Sequence, residues 1–200
     1  MLQQLRDFIV IKDLEVWYYL NTKWHNAFLD AVIPYFRNQF FWAPLYLFLL
    51  LFTVINFGIR GAAWCLGFLL TFALSDQVSA HLIKPYVHRL RPCNNPWLQD
   101  VVHIIVPCGS GYSFPSSHAA NHFALAVFMA VTLSRHVKYI WPIALFWAAL
   151  VSYSQVYVGV HFPVDVTAGG IIGAVIGLVT GKLFNWKLAL KKVDWQPAAA

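Results

Sequence analysis

Residues 41–58 run Phe41-Trp-Ala-Pro-Leu-Tyr-Leu-Phe-Leu-Leu-Leu-Phe-Thr-Val-Ile-Asn-Phe-Gly58, without one charged side chain. A helix crossing the ~30 Å hydrocarbon core of a bilayer needs ~20 mostly apolar residues, and in lipid every backbone N–H and C=O must be satisfied inside the segment. The stretch therefore reads as a membrane span. Four further runs of similar length are uncharged or nearly so: Gly61–Ile83, His118–Leu133, Tyr139–Val158 and Val164–Phe184. The chain is 60% hydrophobic and 11% charged, where an ordinary soluble domain carries ~25% charged residues. The expected fold class is all-α, a polytopic bundle of five transmembrane helices within residues 39–186. Residues 187–200 read as a cytoplasmic tail closing on a tag-like Ala198–Ala200.

A formal charge of +6 could suggest a nucleic-acid partner, but the cations form neither a run nor a helix face. They mark topology instead. Arg60 separates the first two spans, Arg135 and Lys138 the third and fourth, and Lys182, Lys187, Lys191 and Lys192 end the last. The positive-inside rule puts these groups in the cytoplasm. The N-terminus, the loop Lys84–Ser117 and the turn Tyr157–Pro163 then lie outside.

Residues 1–38 lack a signal-peptide core, because Arg6, Asp7, Lys12, Asp13 and Glu15 interrupt it. They are expected to form interfacial helices anchored at headgroup level by Trp17, Tyr18, Tyr19 and Trp24. A sixth span through Val16–Phe36 would have to carry Lys23 and Asp30 through lipid, which is costly. Cys65 falls in a span and reads as a packing residue. Cys93 and Cys108 share the outer loop, and two readings stay open: a disulfide formed in an oxidising compartment, or two free thiols. Gly169, Gly170, Gly173 and Gly177 predict close helix approach along the last span.

The long loop is punctuated by Pro85, Pro92, Pro96, Pro107 and Pro115 with Gly109 and Gly111, which predicts irregular structure. It carries Lys84, Arg89 and Arg91 against Asp100 alone, an excess of outer cations that calls for a bound anion. Three stretches meet on that side: Lys84-Pro-Tyr-Val-His-Arg-Leu-Arg91-Pro92, Pro115-Ser116-Ser117-His118, and Ser154-Gln155 followed by His161 and Asp165. Lys84 and Arg91 supply fixed charge, and a guanidinium can grip two phosphate oxygens. Ser116 and Ser117 open a helix whose free N–H groups and dipole form an anion seat. Asp165, four residues after His161, can orient that imidazole and leave its other nitrogen as a basic lone pair, an activated nucleophile. His118 can serve as the acid and then the base.

These stretches resemble the type 2 phosphatidic acid phosphatase family, whose pattern runs K-x6-RP, PSGH and SR-x5-H-x3-D; the likeness covers roughly Leu70 to Gly181. It implies that His161 forms a phosphohistidine, that Asp165 orients it and that His118 is the acid. It further implies that Lys84, Arg91, Ser116 and the backbone of Ser117 bind phosphate, with neither metal nor cofactor. Ser117 stands where the family has glycine, and Gln155 where it has arginine. The second departure removes a full charge from the cradle; trading a charge-assisted bond for a neutral one costs ~1 kcal/mol or more, a rate loss approaching about tenfold. Lys84 and Arg91 remain, with Arg89 as a further source of charge.

The expected partner is a phosphorylated lipid, whose tail stays in the bilayer while its headgroup enters the mouth of the bundle. By resemblance undecaprenyl diphosphate leads, followed by phosphatidylglycerol phosphate, phosphatidic acid and lipid A phosphate, at the outer face of a bacterial-type cytoplasmic membrane. Gln155 also prompts a second reading, a lipid-phosphate binder or translocator with weakened catalysis. A haloperoxidase gains nothing evident from five spans. Zinc at His118 and His122 lacks a third ligand in sequence. Asp76, inside a span, is expected to contact the loop base, and His81, His88 and His103 to meet headgroups or water.

Overall fold

In lipid a helix satisfies its own backbone, so the apolar runs become helices whatever their local propensity. A computed structural model describes residues 1–193; the remainder of the expected tail, including Ala198–Ala200, lies outside the described residues. Helices α3 (Ala43–Phe57) and α4 (Ile59–Asp76) form an antiparallel pair hinged at Gly58, whose φ of 56° suits glycine. Helices α6 (Ser117–Leu133), α7 (Ile140–Tyr157) and α8 (Pro163–Leu188) complete the bundle, and no strand occurs among the described residues.

Four helical stretches, starting at Gln39, Ile59, Ile140 and Pro163, are long and apolar enough to cross a membrane; Ser117–Leu133 is apolar but shorter. The five-span expectation is thus met by four full-length helices and one short one. The short one is central. Its side chains from Ala119 to Leu133 are almost all buried, so protein rather than lipid surrounds it. Helix α8 packs along α6 through its glycines: a Cβ on Gly173 would sit 2.0 Å from the Ala120 carbonyl oxygen, and one on Gly177 2.3 Å from that of Ala124. Outward-facing Phe48, Leu69, Phe146, Ile171 and Val179 are exposed, as lipid-facing side chains must be. Trp64, Phe68 and Phe128 stack across the core, with ring centroids 5.2 to 6.3 Å apart.

The N-terminal residues form α1 (Leu2–Trp17), π-helical turns at Tyr18–Lys23, and α2 (Ala27–Arg37). All three lie across the loop end of the bundle. Asn21 is fully buried and donates to the carbonyls of His103 and Tyr157 at 2.8 and 2.7 Å. Trp17 departs from its expected headgroup role: it is buried and tilts against Phe162 with centroids 5.8 Å apart, whereas Tyr19 and Trp24 are exposed. Of the two readings for the outer cysteines the disulfide holds, joining Cys93 to Cys108.

Candidate active site

Helix α4 loosens into π-helical turns over Gln77–Ile83, and the short α5 (Lys84–Val87) follows. Such widened turns recur at functional sites. His88 then adopts a left-handed φ of 52°, turning the chain so that Arg89 and Arg91 come back over the start of α8. On the other side Gly159, at φ 80°, reverses the chain after α7. The N–H groups of Val160 and His161 both donate to the Gln155 carbonyl at 3.2 Å. Pro163 opens α8, and Asp165 accepts from the N–H of Phe162 at 2.8 Å, an anion at a helix start where the dipole favours it.

His161 and Asp165 are fully enclosed and lie side by side: His161 Nδ1 is 3.5 Å from Asp165 Oδ2, an ion-pair separation, and makes no hydrogen bond among the described residues. With its proton on Nδ1, facing that carboxylate, the ring would present its lone pair on Nε2. Arg91 Nη1 stands 3.4 Å from this Nε2, with its guanidinium tethered to the carbonyls of Gly111 and Val160. Burial pushes the His161 imidazole down to about 4, against the opposing pull of Asp165, so the ring is neutral at neutral pH.

The α6 and α8 starts are locked together, because Ser116 donates its N–H to the Asp165 carbonyl at 3.0 Å. Ser116 is the N-cap of α6, its Oγ accepting from Ala119 N at 3.4 Å. His118, the second residue of that helix, lies within electrostatic range of His161, Arg91 and Arg37. Ser117 and His118 line a cavity of about 480 Å³ between α3, α4 and α6. Its polar lining includes Arg37, Gln39, Asp76 and Asn121, and its apolar lining Leu49, Trp64, Phe68, Phe72 and Leu125. Lys84 is half-buried, within range of Arg91, Asp165 and Asp76. Gln155 is fully buried, and both its amide atoms are without a partner among the described residues.

Several expectations change. Arg89 does not offer its charge to an anion: Nη1 pairs with Asp165 Oδ1 at 2.6 Å and Nη2 with Asp13, over the face of Phe162. Asp13 is itself buried and accepts the Val164 N–H at 2.8 Å. Sequence reasoning missed Asp13 and Arg37 as parts of this end of the molecule, since neither belongs to a periodic or spaced motif. Asp76 accepts from Asn121 of α6 at 2.9 Å and also lies within electrostatic range of Lys84 at the loop base. His103 has a protein partner, Asp30, at 3.1 Å from both carboxylate oxygens.

His25, Asp30 and His103 place potential metal-ligating atoms within 4.8 Å of one another. The two imidazoles stack 4.1 Å apart with 18° between their planes, so their in-plane lone pairs run side by side instead of converging. Asp30 also accepts from Tyr157 Oη at 2.7 Å. The cluster works as a latch holding α2 to the loop and to α7. His122 turns Nδ1 to the His118 carbonyl at 2.9 Å and packs its ring edge-on to Trp147, which gives no convergent zinc set with His118.

A neutral lone pair beside a guanidinium, a second imidazole and a free helix start suit transfer of an anionic group to nitrogen. The PAP2 superfamily model matches residues 62–189. A lipid A 4'-phosphatase of Bacteroides thetaiotaomicron is 35% identical over 74% of this chain and 67% of its own length. An undecaprenyl-diphosphatase of Sulfolobus acidocaldarius is 32% identical over 76% of this chain and 68% of its own. The crystal structure of a transmembrane PAP2-type phosphatidylglycerolphosphate phosphatase from Bacillus subtilis superposes with a TM-score of 0.64 at 25% identity, covering 90% of this chain and 87% of that one. The chain belongs to the PAP2 superfamily, in its membrane lipid phosphatase branch.

Proposed function

We propose that the protein removes phosphate from a lipid monoester or diphosphate by way of a phosphohistidine at His161. The observation that carries this reading is the cavity that joins Ser117 and His118 to an apolar wall between three membrane helices. A soluble phosphate ester has no use for that wall, whereas a lipid can seat its headgroup above and its tail below.

In the proposed cycle the His161 Nε2 lone pair attacks phosphorus. The P–O bond to the leaving group breaks as His118 donates its proton to that oxygen. Asp165 holds Nδ1–H and stabilises the cation that forms. Neutral His118 then takes a proton from water, the resulting oxygen nucleophile attacks phosphorus, the P–N bond breaks, and inorganic phosphate leaves with both imidazoles restored. Lys84, Arg91, the Ser116 hydroxyl and the Ser117 N–H hold the phosphate oxygens in the transition state. No step needs a metal or cofactor. The Cys93–Cys108 bond supports placing this end on the oxidising, extracytoplasmic side of the cytoplasmic membrane. Residues 1–38 act as the interfacial segment, 39–186 as the phosphatase domain, and 187–200 as a cytoplasmic tail.

The test is phosphate release by the purified protein, in the presence of chelator, from undecaprenyl diphosphate, phosphatidylglycerol phosphate, phosphatidic acid and lipid A. His161→Ala is expected to abolish release and to lose the acid-labile phosphoprotein seen with wild type; orthovanadate is expected to inhibit. Full turnover by His161→Ala refutes the mechanism. The second reading, a binder or translocator, is favoured by the neutral, fully buried Gln155 and predicts lipid retention without phosphate release.

A further inference from the structure

We propose that Arg37, the last residue of α2, is a substrate-binding residue that supplies the third cation of the phosphate site and takes over the charge that Gln155 lacks. The inference rests on the phosphatase reading and deepens it. The family pattern places an arginine at position 155, and the neutral side chain here leaves the cradle one charge short. Arg89 cannot fill the gap, because Asp13 and Asp165 hold both ends of its guanidinium. Arg37 shares the cavity wall with Ser117 and His118. It is half-buried and has no ion-pair partner among the described residues. Asp76, on the same wall, is instead bonded to Asn121.

Burial and then the charge of Arg91 both press the Arg37 guanidinium below its ordinary value. Two guanidinium groups that feel each other in a partly buried setting are unfavourable until an anion sits between them. The strain is not relieved by drift of the helix, because α2 is pinned along its length. Asp30 is latched to Tyr157 and His103, Ile33 is buried against Tyr157, Val158 and Val160, and Trp42 donates to the Phe36 carbonyl at 2.8 Å. Arg37 also precedes residues 62–189, so the segment outside the family match would complete the site within it. The plain alternative is that Arg37 only complements the α2 dipole at its C-terminal end.

Orthovanadate binding, measured by calorimetry beside kcat and KM for lipid phosphate release, separates the two. Arg37→Gln is expected to weaken vanadate binding about tenfold, the size of one lost charge-assisted contact, with an unchanged melting temperature. Adding Gln155→Arg to that variant is expected to restore affinity to within about threefold of wild type. Arg37→Lys, which keeps the charge but loses the fork, is expected between the two, and it decides the matter should Arg37→Gln fail to fold. Vanadate affinity within twofold of wild type in the deciding variant overturns the proposal, as does a loss that Gln155→Arg does not repair. If wild type binds vanadate through Arg37 yet releases no phosphate, the phosphatase reading fails and this one stands.

Discussion

The imidazole of His161 is set apart by its enclosure. A ring in water is half protonated near 6.5, but burial holds this one near about 4, with Asp165 opposing and Arg91 reinforcing the shift. Protonation below that value removes the Nε2 lone pair, so the ring stays competent from neutral pH down to about 5. A folded pKa below the unfolded one also means that the unfolded chain binds the extra proton first. The stability due to this group is therefore full above about 6.5 and declines as pH falls toward about 4. Histidine-labelled protein followed by 15N NMR, with the signal assigned through His161→Ala, is expected to titrate near 4; a midpoint at 6.5 contradicts the enclosed geometry. Asp13 acts one step further out, as a positioning residue. Through Arg89 it fixes Asp165, which in turn faces Nδ1 of His161. Asp13→Asn is expected to lower kcat roughly tenfold while leaving KM within about twofold, and to cost ~2 kcal/mol, less than a fully buried pair because Arg89 is a quarter exposed. An unchanged kcat with lost stability reduces Asp13 to a structural tie. His118, His161, Asp165, Lys84 and Arg91 were legible because spacing along one strand of sequence sets their chemistry. Asp13 was not, since it meets Arg89 across 76 residues and only tertiary packing announces the contact.

At the scale of elements, the site depends on how closely two helices approach. The Ser116 to Asp165 link joins the start of α6 to the start of α8, and Gly169, Gly173 and Gly177 keep that register down the seam. A methyl at position 173 would stand 2.0 Å from backbone oxygen, an overlap that backbone cannot relieve without parting the helices. Gly173→Ala is expected to cost on the order of 1–3 kcal/mol and to lower kcat, whereas Val175→Ala on the exposed face of α8 changes neither. Thermal unfolding in detergent and phosphate release read both; equal behaviour of the two variants would show that the seam has slack. The apolar runs and the glycine interval were visible in sequence because lipid imposes them. The π-helical turns before Lys84 were not, for residues 77–83 carry no signal that separates a widened turn from an ordinary one. The shortness of α6 was legible, the run His118–Leu133 being the shortest of the five, but its enclosure by protein was not.

For the molecule as a whole, one end of the bundle is assembled from segments distant in sequence: α1 and α2, the loop after α5, and the α7–α8 turn. The bundle could be read from composition, while the way the N-terminal helices close over the site could not, because polar segments lack the periodicity that burial imposes. The loop is the least self-supporting part, being built of turns rather than helices, and the bond between Cys93 and Cys108 is its main constraint. Closing a loop of 15 residues removes unfolded-state freedom worth ~3 kcal/mol. The same bond ties the Arg91 strand to the strand carrying Gly109, over which the Arg91 guanidinium lies; a Cβ there would come within 3.6 Å of Cζ. Cys93 also donates its N–H to the Gly159 carbonyl at 3.1 Å, joining the loop to the turn before His161. Reduction, or the paired change Cys93→Ala with Cys108→Ala, is therefore expected to lower the melting temperature and to raise KM several-fold, because Arg91 loses the frame that aims it at the phosphate. kcat should fall less, since the His161–Asp165 pair is held by α8 and Arg89. A melting temperature that drops while KM stays fixed would mean that the carbonyls of Gly111 and Val160 suffice to hold Arg91, leaving the disulfide a role in folding alone.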